Sequence, residues 1–140
     1  MTAPIPSTLL LLDPTDPDGE SSLQLLDEQD QHVILVVLLS GPTSRALRDF
    51  ARAEEIDMAT AGWQYLERVA DRLDLAPDRL LAMTDNGPSA AVALADIAVT
   101  THLHRVLLPA SVDRYEPGLA DMLSRCTDAP ILTAAHAGVR

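Results

Sequence analysis

A chain of 140 residues, 47% of them hydrophobic, is long enough to bury the core of one domain and too apolar to be disordered throughout. Only 3% of the residues are aromatic, so that core must be aliphatic. The formal net charge of −11 repels phosphate backbones and anionic lipid headgroups, which argues against nucleic-acid and membrane-surface binding.

The cysteine content and the start of the chain indicate the compartment. Cys126 is the single cysteine, so no disulfide can form within the chain. The apolar run at residues 9–12 is too short for a signal peptide and has no basic residues before it. No apolar stretch approaches the length of a membrane span. We therefore expect one cytoplasmic domain over residues 1–140, with its core at about 7–135.

Short apolar runs alternate with longer amphipathic stretches from the start of the chain. The run 7–12 predicts a first strand, which ends in a turn rich in Asp, Pro and Gly. Ser21 or Ser22 can cap a short helix that extends to about Gln29. The run 32–39 is continuously apolar, which is typical of a strand that is covered on both faces of a parallel sheet.

A helical pattern fills residues 44–73. Its apolar residues recur at intervals of three and four and predict one core-facing stripe, formed by Ile56, Ala59, Trp63, Leu66, Ala70 and Leu73. Thirty residues would make a helix of roughly 45 Å, which is long for this domain. We therefore expect a break between Arg52 and Asp57.

The second half of the chain continues the alternation. Strands are predicted at 79–84, 104–110 and 130–135, and helices from Pro88 and at about 117–126. Five strands alternating with helices predict an α/β fold with right-handed crossovers and a mostly parallel sheet. Ligands of such sheets bind at the carboxyl ends of strands, where the residues are Asp13, Ser40, Asp85 and 109–113.

These segments, in this order, resemble the universal stress protein family over about residues 7–135. The matching segments are Leu10-Leu11-Leu12-Asp13 followed by Ser21-Ser22-Leu23, then Asn86-Gly87-Pro88-Ser89, and finally Ala129-Pro130-Ile131-Leu132. The resemblance implies a three-layer Rossmann-like open sheet of five parallel strands, in the order 3-2-1-4-5, with helices on both faces. It also implies a homodimer joined through the last strand, with an interface at Ile131, Leu132, Thr133 and Ala134. That strand has no charged residue to protect it as a free edge.

The segment after the fourth strand departs from the family pattern. Many members bind ATP there through Gly-x2-Gly-x9-Gly-Ser/Thr, whose glycines let main-chain N–H groups close around phosphates. Here Pro109 and Val112 replace the first two glycines, and Gly118 is the one that remains. Asp113 and Glu116 add charge of the wrong sign for a triphosphate. We therefore expect no phosphate cradle and no cofactor.

Two functions remain open at this stage. The first is a non-catalytic regulatory or interaction protein, a homodimer with a possible protein partner, that does not bind ATP in the usual way. The second is a binding protein for a nucleoside or nucleotide, in the crevice between strands one and four. Asp13 would then accept hydrogen bonds from a ribose or adenine edge, and Arg114 would pair with a phosphate. The resemblance and the strand ends together give the candidate ligand-binding residues Asp13, Leu39, Ser40, Pro109, Ser111, Arg114 and Gly118.

Other chemistry is weaker in this sequence. His102 and His104 have metal-ligand spacing, but no third ligand lies near them in sequence, so a helix–strand turn is the simpler interpretation. The acidic turn 13–19 lacks the ligand pattern of an EF-hand. Cys126 has Arg125 beside it but no histidine partner in view. We therefore predict neither a metal site nor an enzyme.

Overall fold

Five parallel strands form the centre of the structure. The structure is a computed structural model, and it describes residues 5–14, 17–87 and 89–134, without the side chains of 17–20. The strands are β1 (Ser7–Leu12), β2 (His32–Leu38), β3 (Leu80–Asp85), β4 (Leu103–Leu108) and β5 (Ile131–Thr133). They lie in the order β3-β2-β1-β4-β5, and each neighbouring pair is parallel. The predicted Rossmann-like α/β fold, with strand order 3-2-1-4-5, is confirmed.

Helices connect the strands. The α-helices are α1 (Arg45–Glu54), α2 (Met58–Leu73), α3 (Ala90–Thr100), α4 (Val112–Tyr115) and α5 (Leu119–Leu123), and a 3-10 helix covers Pro17–Leu25. Shorter 3-10 turns lie at Pro42–Ser44 and Pro77–Arg79. Within the described ranges, no helix is long and apolar enough to cross a membrane.

The sheet is buried on both faces, as the continuous apolar runs predict. Alternate residues of β1 point to opposite sides: Leu9 and Leu11 pack with α3 and α5, while Leu10 and Leu12 pack with α1, α2 and the 3-10 helix Pro17–Leu25. All four leucines are essentially inaccessible to solvent. Two aliphatic cores therefore share the sheet, which makes three layers.

The predicted break in the long helical region is confirmed. Helix α1 ends at Glu54, and Glu55 adopts a left-handed conformation with φ of 56°. The side chain of Asp57 then accepts a hydrogen bond from the Thr60 N–H at 2.7 Å and begins α2.

The core-facing stripe predicted for α2 is correct at Leu66, which is buried, and at Leu73, which packs against the core, but it is wrong at Ala59 and Trp63. The side chain of Trp63 is 44% exposed and Ala59 is also exposed, whereas the buried residues are Ala61, Gly62, Tyr65, Leu66 and Val69. The reason lies at Gly62, where a Cβ atom would lie 2.7 Å from Leu39 Cδ2. The helix therefore approaches the sheet along its glycine face, and this orientation turns Trp63, the next residue, toward solvent.

Several predicted boundaries also need correction. The first helix is a 3-10 helix, Pro17–Leu25, rather than one running from Ser21 or Ser22 to Gln29. The helix predicted at 117–126 is shortened to α5, which begins only after Gly118, a residue with a left-handed φ of 88°, and ends at Leu123. Helix α4 precedes it unpredicted. The last strand is Ile131–Thr133 rather than 130–135, and Pro88 and residue 135 lie outside the described residues.

A buried ion pair fixes the amino-terminal side of the sheet. The side chain of Asp30 is 1% exposed and accepts hydrogen bonds from Thr8 Oγ1 at 2.5 Å and from Arg105 Nε at 2.8 Å. Arg105 also bonds the other oxygen of Asp30 through Nη2, and it donates to the Leu25 carbonyl at 2.6 Å. These contacts join the loop before β2 to β1 and β4.

Candidate functional site: the crevice at the carboxyl ends of β1 and β4

The crevice lies where the strand order reverses, between the ends of β1 and β4. Asp13 follows β1 directly and Ser111 lies three residues beyond β4. Ser111 Oγ donates a hydrogen bond to Asp13 Oδ2 at 2.8 Å. Asp13 is 2% exposed and Ser111 is 1% exposed. The carboxylate predicted to meet a ligand is therefore buried against a serine of its own chain.

Two serines of the 3-10 helix Pro17–Leu25 close the crevice. Ser22 Oγ donates to the Leu11 carbonyl at 2.9 Å, and Ser21 Oγ accepts from the Ala110 N–H at 3.0 Å. Both serines are buried. They attach the helix to the ends of β1 and β4, at the place where a ligand would enter.

The segment after β4, where the resemblance would place a glycine-rich loop, is a helical turn. Pro109 has no N–H, and its carbonyl accepts from the Val112 N–H at 3.1 Å. The Arg114 N–H donates to the Ser111 carbonyl at 3.0 Å, and the Glu116 N–H donates to the Val112 carbonyl at 2.9 Å. Together with the bond from Ala110 to Ser21, these contacts bind the N–H groups of Ala110, Val112, Arg114 and Glu116 to groups of the chain itself.

Glu116 occupies the amino terminus of α3. Its Oε1 accepts from the Ala90 N–H at 2.8 Å, and its Oε2 accepts from the Ala91 N–H at 2.6 Å. The first N–H groups of a helix have no partner within the helix and favour negative charge. A carboxylate of the chain thus holds a position that would otherwise attract an anion.

Tyr115 adds an uncharged, largely buried ring beside this arrangement. Burial raises the pKa of the Tyr115 phenol far above its usual range, and the nearby Asp13 carboxylate raises the pKa further. The hydroxyl is close to Ser111, but it makes no well-formed hydrogen bond to the described part of the chain. The phenol is neutral at physiological pH and is not poised as a general base.

The other predicted ligand residues have structural roles. Leu39 is buried in the core beneath α2, and its N–H donates to the Asp85 carbonyl at 2.8 Å. Ser40 Oγ donates to the carbonyls of Asn86 and Gly87, at 2.9 and 2.8 Å, and so joins the ends of β2 and β3.

The last two predicted ligand residues lie near the end of the replaced loop. Arg114 is exposed on α4, and Gly118 forms the left-handed turn before α5. Of the predicted set, the structure therefore brings Asp13 and Ser111 into direct contact, with Pro109 in the adjoining turn.

Sequence reasoning missed the residues that fill the crevice. The sequence predicts Ser21 or Ser22 as a helix cap, and it indicates Glu116 only as a charge that disfavours a triphosphate. Their partners are distant along the chain: 89 residues separate Ser21 from Ala110, and 26 separate Glu116 from Ala90. No local sequence pattern predicts such contacts. The one indication is a Glu in the segment where the resemblance would place a glycine-rich loop.

The remaining candidates give no reactive cluster. No group of three potential metal ligands occurs among the described residues, and His102 is exposed. The Cys126 thiol lies 3.7 Å from the Met122 carbonyl and 3.8 Å from its sulfur. Two cavities, of about 420 and 430 Å³, lie elsewhere: one beside Asp30 and Arg79, and one beside His102 and His104.

The predicted dimer residues lie at or beside the outer strand on the β4 side. Leu132 is 39% exposed and Thr133 is exposed, whereas Ile131 packs partly against the core. Ala134 is buried, and its N–H donates to the Leu108 carbonyl at 2.9 Å. Leu132 and Thr133 are therefore the residues that a second copy could reach.

Two solved structures share this fold. One was described as a structure-based assignment of the biochemical function of hypothetical protein MJ0577, and it aligns with a TM-score of 0.63 and 11% sequence identity, over 96% of this chain and 99% of that one. The other is the crystal structure of hypothetical protein PH0823, with a TM-score of 0.59 and 12% identity, over the same shares of the two chains. Both are universal-stress-protein-like proteins. At such identities the likeness establishes the fold.

No protein-family model matches the chain, and no curated protein matches it significantly.

Proposed function

We propose that this chain is a universal-stress-protein-like regulatory or interaction protein that is not an enzyme and does not bind ATP through a main-chain cradle. The fold supports the family, and the crevice supports the loss of nucleotide binding. We further propose that the protein acts as a cytoplasmic homodimer joined through β5, with a protein partner as its target.

The proposal rests on one observation: main-chain N–H groups around the crevice already form hydrogen bonds within the chain. A triphosphate needs several N–H groups that point into open space. The N–H groups of Ala110, Val112, Arg114 and Glu116 are bonded within the chain, and those of Ala90 and Ala91 meet the Glu116 carboxylate. A phosphate would have to break these bonds and approach Glu116 and Asp113, in a protein with a net charge of −11.

The alternative, a nucleoside or nucleotide site that uses Asp13 and Arg114, has less support. An adenine or ribose edge would have to displace Ser111 from a carboxylate that is 2% exposed. Burial of that kind favours a structural role for Asp13.

Isothermal titration with ATP and with AMP, in the presence of Mg²⁺, tests the proposal. We expect no measurable heat of binding at millimolar nucleotide, and no rise in melting temperature with ATP, AMP or adenosine, because binding to the folded state must stabilise it. Tight, Mg²⁺-dependent ATP binding would contradict the proposal. Stabilisation by AMP or adenosine alone would favour the nucleoside alternative.

A further inference from the structure

The outer strand on the other side of the sheet, β3, is longer than β5. It has six residues, and β2 is its one neighbour in the sheet among the described residues, so within that part of the chain its other side is a free edge. Its sequence has no charged residue before Asp85, and Leu81 is 54% exposed. Natural proteins usually protect such an edge with charge, proline or a bulge.

The alternation of the strand shows which main-chain groups reach that edge. The Asp85 carbonyl accepts from the Leu39 N–H at 2.8 Å, so the main chain of Asp85 faces β2. Because main-chain groups alternate in direction along a strand, those of Leu81 and Met83 face β2 as well. The N–H and C=O groups of Leu80, Ala82 and Thr84 therefore point to the free edge.

These three residues fit an antiparallel pair of two copies related by a two-fold axis at Ala82. Ala82 would pair with Ala82 of the second copy. Leu80 of each copy would pair with Thr84 of the other. Each is a pair in which both residues exchange N–H···O=C bonds. This register engages every outward-pointing main-chain group of β3.

The same register brings opposite charges together. Arg79, the last residue of the 3-10 turn Pro77–Arg79, lies just before the strand and comes near Asp85 of the second copy, twice by symmetry, and Leu81 comes opposite Met83. Leu81 and Met83 form a pair without mutual hydrogen bonds, in which the strands' Cα atoms are closest, at about 4.5 Å. A shift of the register in one direction sets Leu81 against Asp85, and a shift in the other sets Arg79 against Met83, so the charges select one alignment.

Both charged groups keep atoms for this contact. The hydrogen bond from Arg79 to the Gln31 carbonyl, at 2.7 Å, uses Nε, and a guanidinium has four further N–H groups. The bond from the Gly87 N–H, at 2.6 Å, uses Asp85 Oδ1, and a carboxylate has a second oxygen. Both residues are partly exposed.

We propose that the β3 edge is a self-association surface whose occupant is the β3 strand of a second copy, antiparallel and centred on Ala82. Because each copy carries a net charge of −11, the contact forms at high protein concentration. It does not depend on the β5 contact. Where both edges pair, two different two-fold contacts extend copies into an open chain rather than a closed dimer.

Charge exchange tests this register by sedimentation velocity at near-millimolar protein, in a Leu132→Arg background that removes pairing through β5. The background protein should form dimers. Arg79→Asp and Asp85→Arg should each be monomeric, because each homodimer would set like charges opposite one another. An equimolar mixture of the two should form a heterodimer, since both charge pairs are then restored.

Three controls separate pairing from folding. Asp96→Arg makes the same charge change on an exposed position of α3 and should leave the dimer intact. Ala82→Pro removes an N–H that points away from β2, so it should give a folded monomer with a nearly unchanged melting temperature. A monomeric background protein, a dimer that persists in any single variant, or a mixture that stays monomeric would overturn the proposal.

Discussion

Asp30 shows how this acidic protein holds a carboxylate where solvent hardly reaches. Burial alone would raise the pKa of Asp30, but hydrogen bonds from Arg105, Thr8 and the Asp27 N–H outweigh it and hold the pKa below its usual value. The carboxylate is therefore charged in the folded protein at neutral pH. Its loss would leave Arg105 buried without its main partner.

We predict that Asp30→Asn lowers the free energy of unfolding by about 2–4 kcal/mol at pH 7, measured by urea denaturation. The contribution of Asp30 is fully present above its unfolded pKa of about 4, and it is lost as pH falls through the lower folded value. The wild-type protein and the variant should therefore converge in stability below about pH 4. Asp27→Asn, a matched change in the same loop at a half-exposed side chain, should cost less than about 1 kcal/mol. A difference that persists undiminished at low pH would contradict this account.

At the scale of elements, the strands could be predicted from the sequence, whereas several of the helices that connect them could not. The four-to-seven-residue apolar runs located all five strands to within two or three residues, because burial on both faces leaves continuous apolarity in the sequence. Helix α4 and the 3-10 helix Pro17–Leu25 depend on contacts such as Ala110 to Ser21, which periodicity does not report. The face that α2 turns to the sheet is predicted only in part for a related reason, since close approach at Gly62 decides between two possible apolar faces.

Glu116 couples α4 to α3, which gives a prediction at the same scale. Glu116→Ala removes both hydrogen bonds to the first N–H groups of α3, together with a favourable charge, and should cost about 1–2 kcal/mol of stability in urea denaturation. Glu116→Gln keeps one acceptor oxygen, so its stability should lie between that of the wild-type protein and that of Glu116→Ala. Glu67→Ala, at an exposed position of α2, should change stability by less than about 0.5 kcal/mol. Equal effects of the two alanine variants would show that the cap contributes nothing.

At the scale of the whole molecule, the residues that the structure describes form a parallel sheet with β3 and β5 as its outer strands, and side chains of the chain itself occupy the crevice. The strand order came from the family resemblance rather than from the apolar pattern, which fixes only the alternation of elements. The sequence also identified the departure from the glycine motif. The sequence could not show that Ser21, Ser111 and Glu116 lie in and around the crevice, because each forms a hydrogen bond with a residue that is distant along the chain.

We predict that Leu132→Arg makes the protein monomeric by light scattering at low micromolar concentration, where wild type should be a dimer. The substitution places a charge on a half-exposed position of β5, and two copies paired there would set like charges side by side. Val92→Arg, an equivalent change at an exposed position of α3, should leave the dimer unchanged. If Leu132→Arg has the same mass in solution as the wild-type dimer, the proposed pairing through the last strand is wrong.

The main-chain N–H groups of Ala110, Val112, Arg114 and Glu116 are bonded within the chain rather than open to phosphate, and an amide-resolved NMR titration with Mg²⁺–ATP tests this directly. We expect the amide signals of Ala110, Val112, Arg114 and Glu116 to exchange slowly with solvent and not to shift at millimolar nucleotide. Saturable shifts concentrated between Pro109 and Gly118 would contradict this expectation.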